Sequence, residues 1–166
     1  DLGLVTEDHD LGQVALENLA EKIAAADPAK INFGDLFLEQ STARRQFMLC
    51  AQIRKHIDAD TPIRFLIAES ENPATVLGAL YLARQYGVED LLDISPLFET
   101  PEALENGGRF ISRLLKVSEF RDYVRTRGQL SIQLGFSDAG RFIGQVAADL
   151  AIERIQNHIA TSLAET

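Results

Sequence analysis

Four acids fall at equivalent places in this sequence. Glu69 and Glu71, Glu99, and Asp138 each follow a short apolar run and precede a helical one. Carboxylates gathered on one rim can hold a hard cation such as Mg2+ or Mn2+, leaving other positions for water and substrate oxygens. Arg141 stands one helical turn beyond Asp138 and could receive a carboxylate or phosphate. Each residue also has a plainer role. Asp138 or Ser137 could be a helix N-cap, worth about 1 kcal/mol, and the pattern alone favours that cap. Glu99, just before Thr100-Pro101, is as well explained as a solvated acid near the positive end of a helix. Glu69 and Glu71 read more readily as solvated than as functional.

Other chemistry-bearing residues give weaker signals. His9, His56 and His158 show no metal-ligand spacing and are expected on the surface. Cys50 lies in a helical apolar pattern and reads as core. Gly107-Gly108 resembles a phosphate loop only superficially, because it follows no strand and lies within helical sequence. Gly140 and Gly144 are expected to let the final helix pack closely.

The elements that would position the acids can be read from periodicity and punctuation. Residues 10–26 place Leu16, Leu19, Ala20 and Ile23 on one helical face, and Asp27-Pro28 ends it. Residues 28–41 are irregular, with Phe33, Leu36, Phe37 and Leu38 expected to tuck against something. A helix over 42–57 turns Phe47, Cys50, Ile53 and Ile57 inward, and Thr61-Pro62 breaks the chain. One plan then repeats three times. Residues 63–68 read as a strand, and Asn72-Pro73 caps and opens a helix that ends at Gly87. Residues 91–98 form a second strand, expected to be short because of Pro96. Thr100-Pro101 opens helical sequence to about 127, broken near 116–118 with Ser118 as a new cap. In the third unit Leu130, Ile132, Leu134 and Phe136 alternate as in a strand. Residues 137–141 are its loop, and the final helix carries Ile143, Val146, Leu150 and Ile155 on one face. Strand, acidic loop and helix in repetition predict an α/β fold with right-handed units on a parallel sheet. Chemistry in such folds gathers at the carboxyl ends of the strands, where all four acids fall.

Composition sets the limits. The chain has 166 residues, 46% hydrophobic and 25% charged, enough for one substantial core. A complete barrel of eight strands and eight helices typically needs about 250 residues. With a net charge of -9 and no Lys/Arg run, nucleic acid is not an expected partner. No apolar run approaches the roughly 20 residues of a membrane span, so no membrane is expected either. The single cysteine excludes an intramolecular disulfide and fits a reduced cytoplasmic setting. The chain opens at Asp1 with no initiator methionine, which predicts a trimmed, processed or excerpted polypeptide.

Two stretches carry a family resemblance. "PLFET" at 96–100 and "LGFSDAG" at 134–140, with Gly144 beyond, resemble the paired strand-end motifs of phosphoenolpyruvate carboxylase. The intervening "ISRLLKVSEFRDYVRTRGQ" is similar to the family's segment between them. Upstream, "FLIAESENPATVLGALYLARQYG" and "TARRQFMLCAQIRKHI" are similar to the preceding unit and helix. The resemblance covers about 42–160. It implies that residues 42–166 are part of a TIM-type β/α barrel with three parallel units, preceded by a helical lead-in over 1–41. It further implies a lyase, cytoplasmic and homo-oligomeric as a whole, that joins bicarbonate to phosphoenolpyruvate, giving oxaloacetate and phosphate with Mg2+ or Mn2+. The family's metal carboxylates fall on Glu99 and Asp138, and an anion-binding lysine falls on Arg141. Departures are plain. The aspartate after that lysine is Phe142 here, and an upstream Ser-Asp pair is Ala74-Thr75. The family's catalytic histidine and its Arg/Gly-rich loop have no counterpart in the chain, which is therefore expected to be inactive alone. Two alternatives stay open: another metal-dependent barrel enzyme using an enolpyruvate, or a divergent relative kept as a binding domain.

Overall fold

A computed structural model describes the backbone of residues 9–68 and 72–164, and side chains from residue 14 onward. Glu69 and Glu71 lie outside the described residues. Among the described residues eight helices and three strands follow in the order α1 (His9–Ala24), α2 (Asp35–Leu38), α3 (Thr42–His56), β1 (Ile63–Ile67), α4 (Pro73–Gln85), β2 (Leu92–Phe98), α5 (Pro101–Leu115), α6 (Ser118–Arg127), β3 (Gln133–Leu134), α7 (Phe136–Ile143) and α8 (Gln145–Ala164). The strands form one parallel sheet in the order β1-β2-β3.

Local chemistry explains the starts of α3, α4 and α5. Ser41 accepts from Arg44 N, Asn72 from Ala74 N and Thr100 from Ala103 N, and Pro73 and Pro101 occupy first helical positions. Gly87, at φ +64, turns the chain out of α4 as expected. Ser118 differs from expectation. Val117 is the N-cap of α6, and the Ser118 hydroxyl donates to Glu119 Oε2 at 2.9 Å instead.

The strands depart from the sequence reading in two ways. β2 is the longest of the three despite Pro96, because the proline falls where β2 passes from one neighbour to the other. Ile67 pairs with Pro96, and Gln133 with Leu97. A residue with no N–H can sit at that hand-over. β3 is only two residues long, since Leu130 and Ile132 pack on the core without entering the ladder. The chain expected to extend to Phe136 instead turns at Gly135 into α7, so residues 137–141 are helical rather than a loop.

Burial follows the sheet. β2 is covered on both sides, and α4 buries most of its length, from Pro73 to Ala83. Leu16, Leu19 and Ile23 of α1 are buried in the same core, where α1 packs against α4. Leu36 is buried, but Phe33, Phe37 and Leu38 are exposed, contrary to the expectation that all would be covered. In α3 the inward face is Phe47, Met48, Cys50 and Gln52, while Ile57 points to solvent. In α8 it is Ala148, Ala151, Ile155 and Ile159, while Val146 and Leu150 face outward at 74% and 61% exposure.

Polar pairing concentrates at the amino ends of the strands. Arg54 meets Asp90 through two bonds of 2.6 and 2.8 Å. Arg127 grips Asp93 Oδ1 from Nε and Nη2 at 3.1 and 2.6 Å and also donates to Asp90 O. The Tyr123 hydroxyl donates to Leu92 O at 2.8 Å and accepts from Ile94 N at 2.9 Å, which ties α6 to β2. That end of the sheet is locked by ion pairs and hydrogen bonds. The opposite end carries the candidate site.

Candidate metal centre

Glu99 follows the last residue of β2 and precedes the Thr100 cap of α5. Asp138 is the third residue of α7, just beyond β3. Because β2 and β3 are neighbours and parallel, both acids stand at the carboxyl rim of adjacent strands. The ladder runs on to the rim itself, where Gly135 N donates to Phe98 O at 2.8 Å. Gly135 lies directly against Glu99, and a Cβ built on it would be 3.6 Å from Glu99 Oε2. Both carboxyl-bearing residues are half-buried.

The competing cap reading of Asp138 makes a definite forecast, and the geometry goes against it. The N-cap of α7 is Gly135, with no side-chain cap hydrogen bond. Asp138 sits inside the first turn, where its charge still suits the helix dipole. Its partner is Arg141, whose Nη1 lies 3.4 Å from Asp138 Oδ1. Arg141 is thus directed to the rim rather than away from it, with 79% of its side chain exposed.

Glu99 and Asp138 carry hard oxygen donors, the ligand class that Mg2+ and Mn2+ take. Among the described residues no group of three or more His, Cys, Asp or Glu side chains could hold a metal. A site here would offer two carboxylates, with water and substrate oxygens filling the rest, which is how Mg2+ is usually held.

The other sequence candidates lie elsewhere. His56 is exposed beside Phe33, and exposed His158 shares a 3.1 Å hydrogen bond with Ser112 Oγ. The side chain of His9 is outside the described residues. Cys50 is buried, and burial pushes its thiol above the usual value. Gly107 and Gly108 lie in α5 where α8 crosses it. The close-packing role expected of Gly140 and Gly144 belongs to these two instead. Gly140 and Gly144 have nothing within 4 Å of their Cβ positions, and Gly144, at φ +81, serves to end α7. Two residues were missed. Asp93 breaks the apolar run of β2, which could have flagged a buried pair. Gly135 separates a strand from a helix in a motif read only for its acids.

The sequence profile of phosphoenolpyruvate carboxylase matches residues 33–166. A phosphoenolpyruvate carboxylase of Xanthomonas campestris pv. campestris (strain 8004) is 34% identical over 125 residues, covering 72% of this chain and 14% of that protein. That of Tolumonas auensis is 33% identical over 87 residues, covering 52% of this chain and 10% of its own length. That of Thermus sp. (strain 71) is 33% identical over 96 residues, covering 55% and 11%. The chain therefore spans only a small part, 10–14%, of the relatives it matches. With a profile match over most of its length, the chain belongs to the phosphoenolpyruvate carboxylase family.

Proposed function

We propose that this chain is the segment of a phosphoenolpyruvate carboxylase that carries the divalent-cation carboxylates, Glu99 and Asp138, on part of a β/α barrel. The observation that carries this reading is their placement at the carboxyl ends of two adjacent parallel strands, β2 and β3. The whole parent would join bicarbonate to phosphoenolpyruvate, giving oxaloacetate and phosphate. A bound Mg2+ or Mn2+ would neutralise negative charge developing on the substrate's oxygens. Glu99 and Asp138 would hold that ion, and Arg141 would receive an anionic group of the substrate. Arginine is a planar fork where the family resemblance implies a compact lysine, so it would favour a bidentate oxyanion contact. No helix among the described residues is long and apolar enough to cross a membrane.

One observation favours a second reading. Arg141 and Phe142 both depart from the family motif, and Phe142 is 73% exposed on the same helix as Asp138. A divergent relative retained for binding rather than turnover would tolerate both changes.

The test is a Mn2+ titration of the purified chain, followed by electron paramagnetic resonance, beside Asp138→Asn and Glu99→Gln. Weak binding by wild type should fall at least tenfold in either variant. Equal binding by all three would make the carboxylates structural and remove the cation reading.

A further inference from the structure

Three described glycines, Gly87, Gly128 and Gly144, have positive φ, which explains them by backbone conformation alone. Gly135 does not. Its φ is -87 and its ψ 84, a backbone that does not by itself demand glycine. What demands glycine there is space. A Cβ at residue 135 would lie 2.3 Å from Glu99 Cβ and 2.9 Å from Glu99 Cα. Both distances are far inside van der Waals contact, and the second is to backbone, so no change of rotamer relieves it.

The backbone around Glu99 is also held on each side. Before it, Phe98 pairs with Leu134, and Phe98 O accepts from Gly135 N at 2.8 Å. After it, Thr100 caps α5 through Ala103 N at 3.1 Å, with Pro101 fixing the next residue. A side chain at 135 would therefore have to force the two strand ends apart. Glu99 moves with one of them, and Asp138, three residues beyond Gly135, moves with the other.

We propose that Gly135 is a positioning residue for the divalent-cation site: its missing side chain keeps the end of β2 against the end of β3 and so sets the separation of the Glu99 and Asp138 carboxylates. This rests on the reading of those two acids as cation ligands. It adds that the site depends on a residue that offers no ligand atom.

The test compares Gly135→Ala with wild type by Mn2+ titration under paramagnetic resonance, with circular dichroism and thermal unfolding on the same samples. A folded Gly135→Ala should bind Mn2+ at least tenfold more weakly than wild type. Gly140→Ala, with open space at its Cβ position, should bind as wild type does. Undiminished affinity in a folded Gly135→Ala would overturn the inference. Equal binding by wild type and Asp138→Asn would instead show that the cation reading has failed, and the inference would fall with it. Should Gly135→Ala not fold, it and wild type are titrated in an osmolyte such as TMAO, which favours the compact state. Weaker Mn2+ binding by the refolded variant then supports the inference, and wild-type affinity overturns it.

Discussion

Asp93 and Arg127 form the most enclosed ion pair described, with side chains 10% and 14% exposed. Burial alone would push the Asp93 carboxyl up. Hydrogen bonds from Arg127 and Gln129, with the charges of Arg127 and Arg64, outweigh it and hold the carboxyl below its ordinary value. A folded-state value below the unfolded one stabilises the protein above the ordinary aspartate value, about 3.9. That contribution fades as pH falls through the lowered value. Asp93→Asn keeps the shape but leaves Arg127 poorly matched, and should cost about 1–3 kcal/mol at neutral pH. In urea melts, the gap between wild type and Asp93→Asn should narrow below about pH 4. A gap that stays constant to pH 2 would show that the charge contributes nothing. At this scale the repeating motif made legible that Glu99 and Asp138 lie at strand ends, while their reading as cation ligands came from the family resemblance alone. The Asp93 pair was not legible, since Arg127 meets it only once α6 has folded back along β2.

Helices α5 and α8 show what periodicity can and cannot decide. Caps and prolines located the starts of α4 and α5 correctly, because those signals act within a few residues. The inward face of α8 could not be chosen that way. Val146 and Leu150 are larger than alanine, yet α8 leaves them outside and turns its small Ala148 and Ala151 inward, along with Ile155 and Ile159. The choice is made by the partner helix. A Cβ on Gly107 would lie 2.2 Å from Ile155 Cδ1, and one on Gly108 would lie 2.6 Å from His158 Cδ2. The two glycines thus form a shallow saddle into which α8 settles. Alanine at 107 raises helix propensity by about 1 kcal/mol but overpacks the crossing, which typically costs about 1–3 kcal/mol. Since the atom it meets is the end of a side chain, the net effect should be modest destabilisation. Gly140→Ala, in open space, should be neutral or stabilising by up to about 1 kcal/mol. Thermal melts that ranked the two variants in the opposite order would show that α8 is not seated on Gly107.

At the scale of the whole chain, the sheet formed by the described residues is open. β1 and β3 each have a single neighbour among the described residues, and apolar side chains stand in solvent beyond them. Leu66 on β1 is 53% exposed, and α7 and α8 leave Phe142, Val146 and Leu150 uncovered. The three-unit plan was readable from the repeated strand, loop and helix. Which faces would stay uncovered was not, because exposure depends on what else packs there. Unpaired sheet edges and outward apolar side chains both favour association. The net charge of -9 opposes it, through repulsion that salt screens over about 8 Å at 0.15 M. Two forces of different range therefore compete, and the outcome should depend on ionic strength. In sedimentation experiments the purified chain should self-associate more strongly at about 0.15 M salt than at about 0.01 M. Phe142→Asp with Val146→Asp should weaken that association at both salt levels. Because both side chains are already largely exposed, the melting temperature should hardly change. If the double variant associates as wild type does, the sheet edges rather than α7 and α8 carry the contact, and substitutions in β1 such as Leu66→Lys become the ones that separate the copies.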